Sequence, residues 1–230
     1  MKGVILPPAG SATIEVRLGD GRADGERLRV PVELVGWAEE REVLHARGTA
    51  ILSPFGTPPP SPLPSPALDP HPRGVVEAYD EELFHGPTLR TITRVIGSSD
   101  EGIAALCDPA PDPRAWLPHP HRSRWVIDPL LLDAAFQLQI LWSIGAAGSP
   151  CLPCFVERLE RYDRPPSVEG HTVRVRIDER SEHGASSTVE ILDADGEPIL
   201  RLHGAECVID PSLGRAFAAG RATRRGPGAP

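Results

Sequence analysis

Aromatic residues and methionine are scarce in this 230-residue chain, with five Phe, two Tyr, four Trp and one Met. The core must therefore be built from Leu, Val, Ile and Ala. Four cysteines, Cys107, Cys151, Cys154 and Cys207, are too few to staple a chain of this length, which argues against a disulfide scaffold and makes a cytoplasmic location the default expectation. Basic charge is also short. Lys and Arg number 24 against 32 Asp and Glu, and the net charge of −8 comes without a basic cluster, so no nucleic-acid partner is expected. The longest apolar run is too short and too often interrupted to predict a membrane span. No charged segment leads into an apolar one at the N-terminus, so nothing marks the chain for secretion.

Proline runs the other way, with 27 residues concentrated in a few stretches. Nine of them fall between Pro54 and Pro72, which excludes helix and central strand there and predicts an extended surface linker over 54–74. Before it, residues 12–18 alternate apolar and polar, and 28–37 and 42–52 read as two more strands, with turns at Gly19-Asp20-Gly21 and Asp24-Gly25. Three strands without a helix leave one apolar face uncovered. After the linker come a short helix at 77–83, a strand pair at 88–97 and 101–107, and a second Pro-rich loop at 108–120. Four strands follow at 155–162, 171–178, 186–193 and 198–209, the last two joined by the hairpin loop Asp193-Ala194-Asp195-Gly196. The tail over 211–230 reads as disordered.

Between these groups of strands lies one long apolar helix. Asp128 is a good N-cap and Pro129 fits the first helical position, so a helix is predicted over 129–144. It is apolar on almost every side and should be buried. Yet it carries Asp133 and, one turn on, Gln137 on the same face. A carboxyl group in an apolar pocket is costly to ionise, which suits a general acid. An apolar helix wrapped by a curved antiparallel sheet is the hotdog arrangement.

Other motifs point away from chemistry. Cys151-Leu152-Pro153-Cys154 leads from a helix toward a strand, whereas redox pairs of that spacing place the first thiol at a helix N-terminus. Zinc on Cys151, Cys154 and His119 or His121 would need a second regular ligand pair, so no metal is expected. Asp193-Ala194-Asp195-Gly196 lacks the rest of a calcium loop. His45 falls on a strand and reads as structural.

Several motifs, in order, resemble the dehydratase domains of modular polyketide synthases and polyunsaturated fatty acid synthases. Val43-Leu44-His45-Ala46-Arg47-Gly48 is similar to the strand closing that family's first hotdog. Phe84-His85-Gly86-Pro87 is similar to its Tyr-Gly-Pro turn, Leu132-Asp133-Ala134-Ala135-Phe136-Gln137 to its Asp-x-x-x-Gln/His motif, and Leu152-Pro153 with Arg158-Leu159 to the strand after the second helix. The resemblance runs from about Gly3 to Asp210. It implies an α+β double hotdog, with a first-hotdog remnant at 1–53 and a complete second hotdog at 75–210 around helix 129–144. It implies elimination of water from a β-hydroxyacyl thioester carried on the phosphopantetheine of an acyl carrier protein, with no other cofactor. Asp133 would be the acid, Gln137 its support, and His85, Gly86, Pro87, Leu152 and Pro153 would contact substrate.

The family's base is a histidine in a His-x-x-x-Gly-x-x-x-x-Pro motif, and none of the eight histidines here has glycine four residues later. Val4-Ile5-Leu6-Pro7 resembles the stretch that follows the first-hotdog helix. The expectation is a dehydratase-type domain inactive alone, whose other half lies on another polypeptide or upstream. The alternative is a degenerate, non-catalytic hotdog that binds acyl chains or scaffolds a synthase.

Overall fold

The computed structural model describes residues 11–38, 41–164 and 170–224, with side chains described as far as 37 in the first stretch and 218 in the last. The match to Val4-Ile5-Leu6-Pro7 lies outside the described residues. The chain forms two compact units, Met1–Gly56 and Thr57–Pro230.

In the first unit, four strands rather than three make an antiparallel sheet: β1 (Glu15–Leu18), β2 (Arg22–Asp24), β3 (Arg27–Ala38) and β4 (Arg41–Leu52). β3 is central, with β1 and β2 along one edge and β4 along the other. The extra strand, β2, continues from Gly21 into the Asp24-Gly25 turn, and Gly25 has the positive φ of 61° that such a turn favours. Val16, Leu18, Ile51 and Leu52 are exposed. His45 is buried over Gly36, where a Cβ would come within 2.6 Å of its Nε2, so the closely packed histidine accounts for the glycine.

The second unit is a hotdog. Strands β5 (Ile92–Ser99), β6 (Gly102–Cys107), β7 (Cys151–Arg161), β8 (His171–Arg180), β9 (Gly184–Leu192) and β10 (Pro198–Ile209) form one antiparallel sheet in the order β5-β6-β8-β9-β10-β7. It wraps α1 (Pro129–Ala147). Asp128 caps α1 as its sequence predicts, Oδ1 accepting from the Leu130 and Leu131 amides at 2.9 Å. Gly148 ends it in the left-handed conformation, φ 67°. The helix is longer than predicted. At 19 residues it is long and apolar enough to cross a membrane by length and composition, contrary to the expectation, but most of it is buried by the sheet. Leu131, Ala134, Leu138, Ile140, Leu141 and Trp142 pack against inward residues such as Val173, Val175, Val189 and Leu202.

Four further expectations differ from the structure. Residues 75–82 do form a helical segment, but Ala78–Glu82 is wound as a π turn closed by the Leu83 amide on the Ala78 carbonyl at 2.8 Å. The strand expected from residue 88 begins at Ile92, because Pro87–Leu89 forms a 3-10 turn. The tail is not disordered from 211: α2 spans Ser212–Arg224, and its Phe217 is buried with its ring centroid 4.4 Å from that of Phe84. Periodicity hid this helix, because Phe217 and the partly buried Leu213 anchor an otherwise polar and small-residue segment.

The Pro-rich stretch, expected as a linker between the units, belongs to the second unit from Thr57 on and is pinned to it. By strand alternation Glu190 faces away from α1, between the inward Val189 and Ile191. It is 2% exposed and accepts from the Leu63 amide at 3.0 and 3.2 Å and from Arg201. Arg174 Nη1 donates to the Leu63 carbonyl at 2.9 Å and Arg201 Nη2 to the Ser61 carbonyl at 3.1 Å. Asp69 and Ser98 exchange backbone bonds. Glu190→Ala would leave two part-buried guanidiniums without their carboxylate, a loss of about 3 kcal/mol or more. The expected outcome is a lower urea midpoint for the second unit together with faster proteolysis near Ser61–Leu63.

Candidate functional site

The resemblance-based residues divide into a group the fold assembles and a group it leaves apart. Gln137 is fully buried on α1, and its Nε2 donates to Asp133 Oδ2 at 2.7 Å and to the Leu89 carbonyl at 2.8 Å. His85, 6% exposed, places Nε2 at 3.5 Å from the same carboxylate oxygen. Its ring stacks on Phe84 at 4.4 Å between centroids. Gly86 and Pro87 make no polar contact with Asp133. Their part is local: Pro87 opens the 3-10 turn that points the Leu89 carbonyl at Gln137.

Asp133 itself differs from expectation. Its side chain keeps 31% of its accessible surface and is not enclosed in an apolar pocket. Together with Leu132 and Phe136 it forms the stripe of the α1 core-facing turns that stays half-buried. The carboxyl is thus gripped from one side, by Gln137 and His85, and open on another.

Tyr79, which the sequence pattern does not single out, sets the geometry. Its hydroxyl donates to Gln137 Oε1 at 2.8 Å and accepts from the Thr91 and Ile92 amides at 3.0 and 2.9 Å. Burial pushes the phenol up to about 12, so it keeps its proton at neutral pH. With two backbone donors aimed at its oxygen, that single proton goes to Gln137. The amide oxygen of Gln137 is therefore committed to Tyr79 and its NH₂ to Asp133, which fixes the side-chain flip. Arg90 covers the Tyr79 ring, its guanidinium carbon 5.1 Å from the centroid. The only signal in the sequence was a tyrosine six residues ahead of His85, and the Leu89 carbonyl, being backbone, left none.

Leu152 and Pro153 lie elsewhere. They open β7 beyond the C-terminal end of α1, and the 14 residues from Asp133 to Ala147 span about 20 Å of helix. β7 runs back along the helix until Arg161 Nε reaches the Val126 carbonyl at 2.9 Å. Cys151 and Cys154 sit at the start of that strand as free thiols, Cys151 buried. Asp193 closes the predicted hairpin, its Oδ1 accepting from the Asp195 and Glu197 amides at 3.0 Å. Among the described residues no group of three or more His, Cys, Asp or Glu is arranged to hold a metal ion.

A family model described as the polyketide synthase dehydratase N-terminal domain matches residues 56–210. A polyunsaturated fatty acid synthase polypeptide of Thraustochytrium sp. is 26% identical over 184 residues, covering 79% of this chain, which spans about 6% of that protein's length. The dehydratase domain from the CurF module of curacin polyketide synthase is similar in structure with a TM-score of 0.65 and 17% identity, covering 91% of this chain and 73% of its own. The dehydratase domain of RzxB from Pseudomonas fluorescens gives 0.58 and 15%, covering 84% and 67%. At these identities the structures show the fold, the α+β double-hotdog class, and no more. The family model covers the entire hotdog that carries Asp133 and Gln137, and on that ground the chain belongs to the polyketide synthase dehydratase family, as a dehydratase-type domain of polyketide or polyunsaturated fatty acid synthase kind.

Proposed function

We propose that this domain takes part in removing water from a β-hydroxyacyl thioester presented by an acyl carrier protein, with Asp133 as the general acid. The observation that carries this reading is the 2.7 Å bond from Gln137 Nε2 to Asp133 Oδ2, in an amide whose orientation Tyr79 leaves no freedom to reverse. Gln137 holds Oδ2 by a neutral donor, and the other oxygen, Oδ1, is the one assigned to the departing hydroxyl. In the reaction a base removes the α-proton, the C–C double bond forms, the β C–O bond breaks, and Asp133 delivers its proton to the departing hydroxyl, releasing water. His85 flanks the carboxyl and limits its rotation. Gly86 and Pro87 act through the turn they build.

The base in this reading is a histidine supplied from outside these 230 residues, since no His-x-x-x-Gly-x-x-x-x-Pro motif occurs within them. His85 Nε2 approaches the same Asp133 oxygen as Gln137 and is assigned to orientation. A second reading, a non-catalytic hotdog that binds acyl chains or holds a synthase together, rests on that same missing motif. The partners implied by either are an acyl carrier protein and neighbouring synthase domains.

The purified chain is expected to show no turnover of a β-hydroxyacyl carrier-protein thioester, and to gain it when mixed with a polypeptide carrying the histidine motif. Asp133→Asn should then abolish the restored activity. Turnover by the chain alone would refute the external base, and turnover surviving in Asp133→Asn would refute the acid. Saturable acyl-pantetheine binding by an inactive mixture would favour the second reading. In the restored complex Gln137→Leu should lower kcat about 100-fold, the scale of a misplaced catalytic group, with little change in KM. An unchanged kcat would remove Gln137 from the mechanism.

A further inference from the structure

The side of α1 turned away from Asp133 borders a cavity of about 1130 Å³ at the N-terminal end of the helix. Leu131 lies on its wall, and at 100° per residue two positions place Leu131 and Asp133 on opposite sides of the helix. The floor is apolar, formed by Leu131, Ile191, Ile199 and Leu200, while Arg122, Arg124, Arg161 and Arg164 stand around it. Arg164 is held by Asp193 at 2.7 Å. Among the described residues Arg161 spends its Nε on the Val126 carbonyl. Among the described residues Arg122, Arg124 and Arg161 enter no ion pair, in a chain whose net charge is −8.

Of the two carboxylates on the wall, one is paired and one keeps its charge, which leaves three guanidiniums against a single carboxylate. Asp112 is held by Arg114 through two bonds of 2.9 Å, and that guanidinium keeps its pKa down to about 2. Asp128 spends its oxygens on the Leu130, Leu131 and Ala110 amides. His171, 2% exposed, forms part of the wall beneath the guanidiniums.

We propose that this cavity binds a phosphate ester, the phosphate meeting the Arg122, Arg124 and Arg161 guanidiniums while its organic part lies on the apolar floor. Planar guanidinium forks match phosphate oxygens two at a time, and a free phosphate would leave the floor unused. The site is separate from the elimination chemistry and does not rest on it.

Calorimetric titration of the full chain with hexyl phosphate, phosphopantetheine, inorganic phosphate and hexanol tests this. Hexyl phosphate should bind at least about tenfold more tightly than inorganic phosphate or hexanol. The Arg122→Ala/Arg124→Ala double variant, altered at two exposed positions and checked for an unchanged circular dichroism spectrum, should lose at least about tenfold. Asp133→Asn should leave binding unchanged. Phosphopantetheine binding tighter than hexyl phosphate would identify a carrier arm as the source, and the reverse order a free phosphorylated metabolite. The proposal is overturned by hexyl phosphate binding no better than hexanol or inorganic phosphate, by no saturable binding of either ester, or by affinity unchanged in the double variant.

Discussion

A helix that is apolar around nearly its whole circumference has to be enclosed, and the second unit is arranged to do so. Each fully buried Leu or Ile on α1 contributes roughly 1.5–3 kcal/mol relative to exposure. That driving force alone would accept several rotations of the helix within the sheet. Its two buried amides do not. Gln139 Nε2 donates to Ser187 Oγ at 2.8 Å and to the Ala205 carbonyl at 3.0 Å, while Gln137 meets Tyr79 and Leu89. Rotating the helix would leave these groups unsatisfied at about 1–3 kcal/mol each. Burial makes the helix go inside, and the amides decide which way it faces. Asp133 reaches the half-covered stripe as a consequence.

The site then depends on short elements outside the helix. The π turn at Ala78–Glu82 carries Tyr79 inward, and the 3-10 turn after Gly86 aims one carbonyl. Both sit between the Pro-rich stretch and β5, and Tyr79 ties them to the sheet through the Thr91 and Ile92 amides. A single phenol thus joins a turn, a strand and the helix. Because it remains protonated, the direction of every hydrogen bond from it to Asp133 is determined.

Much of the fold was legible in the residues. Asp128-Pro129 announced α1, Asp193-Ala194-Asp195-Gly196 announced the β9–β10 hairpin, and alternation located the long strands. What failed did so for physical reasons. The Pro54–Pro72 stretch is short of backbone amides, so it reads as an extended surface linker, yet its carbonyls and the Leu63 and Asp69 amides suffice to bind it to Glu190, Arg174, Arg201 and Ser98. The helix at Ser212–Arg224 has too little apolar periodicity to be seen, and Phe217 docks it against Phe84. Leu152-Pro153 matched a motif, but its place at the far end of α1 separates it from Asp133.

The sequence by itself determined that one apolar helix would be buried and that Asp133 and Gln137 would share a face of it, since helical spacing admits no other outcome. Only the tertiary structure decided that Asp133 is half-open, that Tyr79 and Leu89 lock Gln137, and that guanidiniums from distant segments converge on the opposite side of the helix. Those facts depend on contacts between residues far apart in the chain, which local periodicity does not encode.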